Sequence, residues 1–273
     1  MKNAAGMRAR KGKCPGRLLE INLHGGNTEN VNQKNYQKEL EKIITKLQEY
    51  SREKDWNAGQ SCVVQPPTLL LHSCCAPCSS YCLEYLCRYF AITVFFYNPN
   101  ISFSEEYQKR AEEQKRLIEC YNAEEKGYPI SIIEGEYEPA LFYEMAQGYE
   151  ACPEGGERCF RCFDLRLRRT ALLASEGKEE KEPGRNAKPY DFFGTTLTIS
   201  PLKNAAKINE IGERLASEYG AAWLPSDFKK KNGYKRSVEL SAEYDLYRQD
   251  YCGCAYSKAE RASEIEQRIL LRD

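Results

Sequence analysis

The sequence predicts an α/β protein: a doubly wound, mostly parallel sheet with helical additions at its N- and C-terminal ends. Three observations predict it. Short apolar runs alternate with longer, polar-faced helical ones through the core of the chain, which argues for parallel strands covered on both faces. The first of these runs, TLLLHS at 68–73, is continuously apolar, as a strand buried on both faces should be. Turn residues punctuate the segments: Asn98-Pro99-Asn100 after one run, and Gly220 at the close of a helical one.

The elements follow in order. Residues 1–66 read as an N-terminal extension, with the first 30 or so rich in Gly, Asn and charge and expected to be mobile. Within it, residues 35–50 place Leu40, Ile43, Ile44 and Leu47 at helical spacing, predicting one amphipathic helix. Gln65-Pro66-Pro67 breaks the chain before the α/β domain, read as 67–273. Strands are predicted at 68–73, 92–98, within 129–137, at 190–197 and, as a fifth, at 221–225. Helices are predicted at 78–90, 104–126, 139–148, 157–176 and 200–220, the last opened by Ser200-Pro201. Residues 177–189 read as a charged loop, and the chain beyond 225 as mostly helical.

Composition narrows the function. The chain has 273 residues, 41% hydrophobic and 29% charged, with zero net charge. No global field draws it to nucleic acid, so any RNA partner must be held by local patches. The basic start lacks the apolar stretch of a secretory signal. The run AITVFF at 91–96 is far too short to span a bilayer, so a cytoplasmic protein without a membrane partner is expected. Thirteen cysteines in such a chain point to metal binding, redox work or apolar packing rather than a disulfide framework.

In open α/β sheets ligands bind beyond the carboxyl ends of the strands. Cys74 and Cys75 stand just after the first predicted strand. Side chains of adjacent extended residues point to opposite faces, so the two thiols can serve one centre only if the chain turns there. Ala76-Pro77 supports such a turn; the bland reading is that one cysteine is core. Cys159 and Cys162 form CxxC at a helix start, which suits half a metal site or a redox pair. Arg166 and Arg169 follow four and seven residues later. They suit an anionic cluster or RNA phosphate, or simply a solvated basic helix.

Cys252 and Cys254 flank a single glycine. A disulfide there would close a small, easily reduced ring, which suits a redox relay; a pair of metal ligands is the other reading. Cys82 reads as core, and Cys78 as core or as a neighbour of the Cys-Cys pair. His72 reads as a hydrogen-bonded core residue. With His24 the only other histidine, the sequence argues against a Ser-His-Asp triad or a His-based zinc hydrolase. No phosphate loop is present. The run KKKNGYKR at 229–236 offers an RNA contact or solvated surface.

The segments LLLHSCCAPC, FYNPNI, EYQKR, GGERCFRCFDLRL, FGTTLTISPLKN and YRQDYCGCAYS, in this order, resemble the epoxyqueuosine reductases of the QueH type. The resemblance spans about 68–257. It implies a fold similar to the nucleotide α-hydrolase and PP-loop (HUP-like) sheets, without the PP-loop and so without ATP use. It implies reduction of the epoxide of epoxyqueuosine at the tRNA wobble position to queuosine, the last step of queuosine synthesis. It implies a [4Fe-4S] cluster on Cys74, Cys75, Cys159 and Cys162, a redox-active disulfide of Cys252 and Cys254, and an additional mononuclear iron nearby in part of the family. An unidentified electron donor is a further partner. In the family the position of Cys78 also takes Asp, and this marks Cys78 for the additional iron, against core packing with Cys82. Asp227, Lys203 and Tyr251 stand in motif-rich stretches as candidate proton donors. Two competing readings are a structural zinc protein with four cysteine ligands that binds RNA without chemistry, and a thiol oxidoreductase using CxxC alone. The first leaves YCGC unexplained and the second leaves Cys74-Cys75 unexplained.

Overall fold

A computed structural model describes residues 34–57, 65–177 and 188–270, the backbone alone for 51–57. The first 33 residues with Cys14 and His24, the stretch 58–64 with Cys62, and 178–187 within the charged loop lie outside the described residues. One compact unit runs from Lys34 to Asp273.

Its centre is a sheet of β1 (Thr68–His72), β2 (Ala91–Phe96), β3 (Ser131–Glu134) and β4 (Phe192–Thr195) in the order β3-β2-β1-β4. Every pairing is parallel, with Leu69 opposite both Ile92 and Phe192. β1 and β2 are buried on both faces, which is why their sequences are continuously apolar. Successive residues still serve opposite layers. Leu69, Leu71, Ile92 and Val94 join one core cluster, and Leu70, Phe95 and Phe193 join the other.

The first cluster is covered by α1 (Tyr36–Asn57), α2 (Ala76–Leu86) and α3 (Ser104–Ala123). The second is covered by α5 (Glu157–Glu176) and α6 (Ala205–Tyr219). Helices on both faces make the sheet doubly wound, an order compatible with the PP-loop type. The helix expected at 35–50 is α1, and it buries Leu40, Ile43 and Ile44 in the core. Shorter helices complete the unit: α4 (Pro139–Ala146), α7 (Gly233–Glu243) and α8 (Ala255–Leu270). Among the described residues, no helix is long and apolar enough to cross a membrane.

Three expectations are corrected. The fifth strand at 221–225 reduces to a single parallel bridge between Trp223 and Phe193; Leu224 N still donates to Phe193 O, but the next donor on that side, Ser226 N, goes to Asn209 Oδ1 at 3.0 Å instead of to β4. Ser200-Pro201 does not open α6. Lys203 N donates to Ser200 O at 3.2 Å and closes a turn there, and Asn204 caps the helix by accepting from Lys207 N at 3.0 Å. Finally, α2 begins two residues earlier than predicted, on Ala76-Pro77, and ends at Leu86 instead of Phe90. The predicted C-terminal stop holds: Gly220 ends α6 at φ 70°.

Neighbouring β2 and β4 flank β1 on opposite sides. The chain therefore reverses direction across the sheet at β1, and a crevice opens beyond the carboxyl ends of β1 and β4.

Candidate metal centre

The site forms where β1 ends. Ser73 N continues the ladder by donating to Phe95 O at 3.0 Å. The chain bends at Cys74, and Cys75 caps α2 in an extended conformation (φ −173°, ψ 155°). This bend brings the two neighbouring sulfurs to the same side, with Cys74 Sγ and Cys75 Sγ 3.8 Å apart. Pro77 preorganises the first turn of α2, and Cys78 follows on it. The three sulfurs lie within 4.8 Å of one another, the one such gathering of three or more ligand-type side chains among the described residues. Gln114 of α3 clamps the turn: its Oε1 accepts from Ser73 Oγ at 2.8 Å and from Ser79 Oγ at 2.7 Å.

Such crowding separates the three thiols electrostatically. Hydrogen bonds from Cys75 and Cys78 hold the Cys74 pKa well below the usual thiol value, with Lys203 and Arg166 adding to the effect against burial. Cys75 is pushed up to about 12, first by its bond to Cys74. Cys78 is raised well above the ordinary value for the same reason. Without a cation, one thiolate at this spacing suppresses the next. A metal bound among them removes that penalty and lets all three ionise. Buried sulfur donors without a carboxylate suit zinc, Cu(I) or an iron–sulfur cluster and exclude a calcium- or magnesium-type site.

Cys159 and Cys162 lie on the first turns of α5, where Gly155 N donates to Cys159 Sγ at 3.3 Å. Cys159 packs against the same apolar cluster as Cys74 and Cys75. Cys162 packs with Phe142 and Cys254. Burial raises the Cys159 and Cys162 thiols, Cys162 to about 12, and both feel the charge of Cys252. Cys159, Cys162, Cys252 and Cys254 are thus brought around one another, while Cys159 and Cys162 stand outside the 4.8 Å group of Cys74, Cys75 and Cys78. Cys252 and Cys254 are both free thiols here.

The loop carrying them is tied from two sides. Ser102 N donates to Gly253 O at 3.1 Å. Arg110 of α3 donates from Nη1 to Cys252 O at 3.0 Å and from Nη2 to Tyr251 O at 3.4 Å. Gly253 sits at φ 128°, and a Cβ there would meet Ile101 at 3.0 Å and Arg110 Nη1 at 3.2 Å. The NPNI and YCGC segments therefore need each other.

Arg166 has no exposed surface. Its Nε donates to Cys162 O at 3.3 Å and its Nη1 to Asn98 Oδ1 at 3.4 Å, while Nη2 is buried without a partner. Burial opposes its charge; Cys162, Cys252, Cys74 and Cys159 offset that and raise its pKa. Arg166 is thus an interior cation beside the thiols. Arg169 is exposed, and its charge is felt by Tyr97. His72 is a core residue: Nδ1 accepts from Thr195 Oγ1 at 2.9 Å and Nε2 donates to Tyr97 O at 3.2 Å. Burial, then Arg166, lowers its pKa to about 3 and keeps it neutral.

A cavity of about 340 Å³ opens onto this chemistry, with Cys74, Cys78 and Cys252 in its lining beside Lys203 and Glu154. Burial works against the Lys203 charge, but Cys252, Cys74 and Cys78 outweigh it and raise its pKa. Of the three candidate proton donors, Lys203 and Tyr251 line the cavity. Asp227 instead pairs with Lys229 at 3.2 Å. The basic run is only partly a surface: Lys229 points inward to Thr198 O at 3.2 Å and Lys203 O at 3.3 Å, and Lys231 pairs with Glu41.

Comparison with known proteins fits this geometry. A model of the family described as "Epoxyqueuosine reductase QueH" matches residues 69–260. The chain belongs to the QueH family of epoxyqueuosine reductases. It is 41% identical over 239 residues to the epoxyqueuosine reductase QueH of Staphylococcus epidermidis, covering 86% of this chain and 90% of that one. It is 43% identical over 201 residues to that of Streptococcus pyogenes, covering 74% of each chain. A third relative, from Thermotoga maritima, is 34% identical over 200 residues, 71% of this chain and 92% of its own. The family is one of enzymes and implies a metal cofactor, for which the Cys74, Cys75 and Cys78 thiols are a fitting place. The matched span holds all the cysteines named for the site and leaves α1 outside.

Sequence reasoning passed over Arg110 and Glu154. Arg110 lies on the buried face of α3, with Tyr107, Ala111 and Gln114. An arginine in step with buried residues was the available signal.

Proposed function

We propose that this chain reduces the epoxide of epoxyqueuosine in tRNA to the alkene of queuosine, the last step of queuosine synthesis, in the cytoplasm. The observation that carries the reading is the convergence of Cys74, Cys75 and Cys78 at the switch point of the sheet, on a cavity that Cys252 also lines. The catalytic domain is taken as 67–273. Cys74, Cys75, Cys159 and Cys162 would hold a [4Fe-4S] cluster, for which four thiolates suffice, and Cys78 an additional iron. Such a cluster, when bound, would supply single-electron chemistry for C–O cleavage.

The chain's own residues supply the rest. Arg166 and Lys203 offset the negative charge that ionised thiols accumulate. Opening the epoxide to an alkene takes two electrons and two protons and releases water. Oxidation of the Cys252 and Cys254 dithiol to a disulfide delivers that number of each, and an electron donor then restores the dithiol. Cys252 lines the cavity, which supports its place in the relay. Arg169, exposed on α5, and Lys230, exposed in the basic run, are the remaining candidates for an RNA phosphate.

The test is anaerobic turnover. Protein reconstituted with iron and sulfide, a reductant and epoxyqueuosine-containing tRNA should yield queuosine on nucleoside analysis. The preparation should be brown, with about four irons and four sulfides per chain. A colourless protein carrying zinc and giving no queuosine would overturn the reading in favour of a structural zinc protein.

A further inference from the structure

Glu154 lines the cavity with Cys74, Cys78 and Cys252. It is half-buried and held in place. Its Oε2 accepts from Ser257 Oγ at 2.8 Å, and its backbone N–H donates to Glu260 Oε2 at 2.8 Å. The nearby cations are engaged elsewhere: Arg158 pairs with Glu260 at 2.9 Å, Arg248 of the cavity lining donates to Ser241 Oγ at 2.9 Å, and Lys203 lies on the side of Cys74, Cys78 and Cys252. Among the described residues, no Lys or Arg makes an ion pair with Glu154. Asp250, the other carboxylate of the lining, is exposed at the mouth. The cavity therefore presents a fixed, unneutralised carboxylate a short way from its sulfur wall. At about 340 Å³ it is at the small end of ligand pockets, the scale of one modified base rather than an RNA stem.

A carboxylate so placed selects a cation, and charge-assisted hydrogen bonds are the strong ones. The epoxyqueuosine base carries such a group. A secondary amine, protonated at neutral pH, joins its 7-deazaguanine to the epoxide-bearing ring. We infer that Glu154 binds this ammonium, making it a specificity residue that selects amine-bearing wobble bases and directs the ring beyond the amine toward the cysteines. The inference rests on the reductase reading. Ser257 adds a link to the thiols, since its Oγ accepts from Cys252 N at 3.1 Å while donating to Glu154.

The experiment measures binding, not turnover. Two tRNAs are compared that differ only at the wobble base, one with guanine and one with 7-aminomethyl-7-deazaguanine, which bears the ammonium but no epoxide. Wild-type protein should prefer the ammonium-bearing tRNA by about tenfold or more, the worth of a hydrogen bond to a charged group. Glu154→Gln keeps an acceptor for Ser257 and removes the charge. It should abolish the preference while holding the guanine tRNA as wild type does. Glu154→Asp should retain part of the preference, and Asp250→Asn all of it. A Glu154→Gln variant that keeps the full preference, or a wild-type protein that shows none, would overturn the assignment. Failure of the reductase reading shows separately, as absence of queuosine from wild-type turnover.

Discussion

Replacing Arg110 by Met tests how the Cys252–Cys254 loop is held. Arg110 is 1% exposed. Its Nε donates to Glu106 Oε1 at 2.6 Å, and its two terminal nitrogens reach the carbonyls of Cys252 and Tyr251. Met keeps much of the length and removes the charge and all three bonds. Stranding one partner of a buried ion pair costs about 3–5 kcal/mol. Glu106 keeps a second partner, the Tyr247 hydroxyl at 2.9 Å, and its side chain is 13% exposed, so the expected loss is about 2–4 kcal/mol. Arg110→Lys keeps the charge without the fork and should lose less. Adding Glu106→Gln to Arg110→Met should cost less than the sum of the singles, since the two side chains share one interaction. The assay is anaerobic urea unfolding followed by tryptophan fluorescence, with mass-spectrometric alkylation rates at Cys252 as the local readout. The loop should alkylate faster in Arg110→Met. A stability within about 0.5 kcal/mol of wild type, with unchanged alkylation, would refute the tether.

Alanine at Cys74, Cys75, Cys159 or Cys162 should remove most cluster absorbance; full iron and sulfide in Cys159→Ala would exclude it as a ligand. At Cys78, Ala should lose only iron above the cluster complement, whereas Asp should keep it and the activity; a mild Ala with a destabilising Asp would point to core packing instead. Cys252→Ala and Cys254→Ala should keep the metal and lose turnover with a biological reductant, and metal loss in either that cooling does not reverse would make it a ligand. Gly212→Ala should cost about 1–3 kcal/mol or more in urea titrations, because the new Cβ would sit 2.3 Å from the Trp223 ring; wild-type stability would contradict that packing. Arg169→Glu should raise KM for tRNA and flatten its salt dependence, and an unchanged salt slope would place the RNA elsewhere.

What the sequence announced was what local chemistry decides. Continuous apolar runs marked β1 and β2, and Gly220 marked the end of α6. The cysteines after β1 were legible as a site because strand ends in parallel sheets are where ligands bind. Their convergence depended on one bend at Cys74, which Ala76-Pro77 hinted at and Gln114, 41 positions beyond Ser73, secures from another helix. Ser200-Pro201 carried a helix-opening signal, yet Asn204 held the better cap. Charged residues were the least legible. Lys229 and Arg110 read as surface or went unread, because the carbonyls they serve come from segments far away in the chain; Arg166 was legible as a cation beside CxxC, but its full burial was not.

The gathering of sulfur from β1–α2, α5 and the loop before α8 has a practical corollary. These segments meet only because one sheet and its covering helices hold them, so under the iron–sulfur reading the colour of a preparation would count correctly folded molecules as well as intact ligands. A change far from any sulfur, such as Gly212→Ala against Trp223, would then bleach the protein as a ligand substitution would. The two are told apart by refilling at low temperature: a weakened fold takes its metal back when cooled or concentrated with a stabilising osmolyte, and a missing thiolate does not.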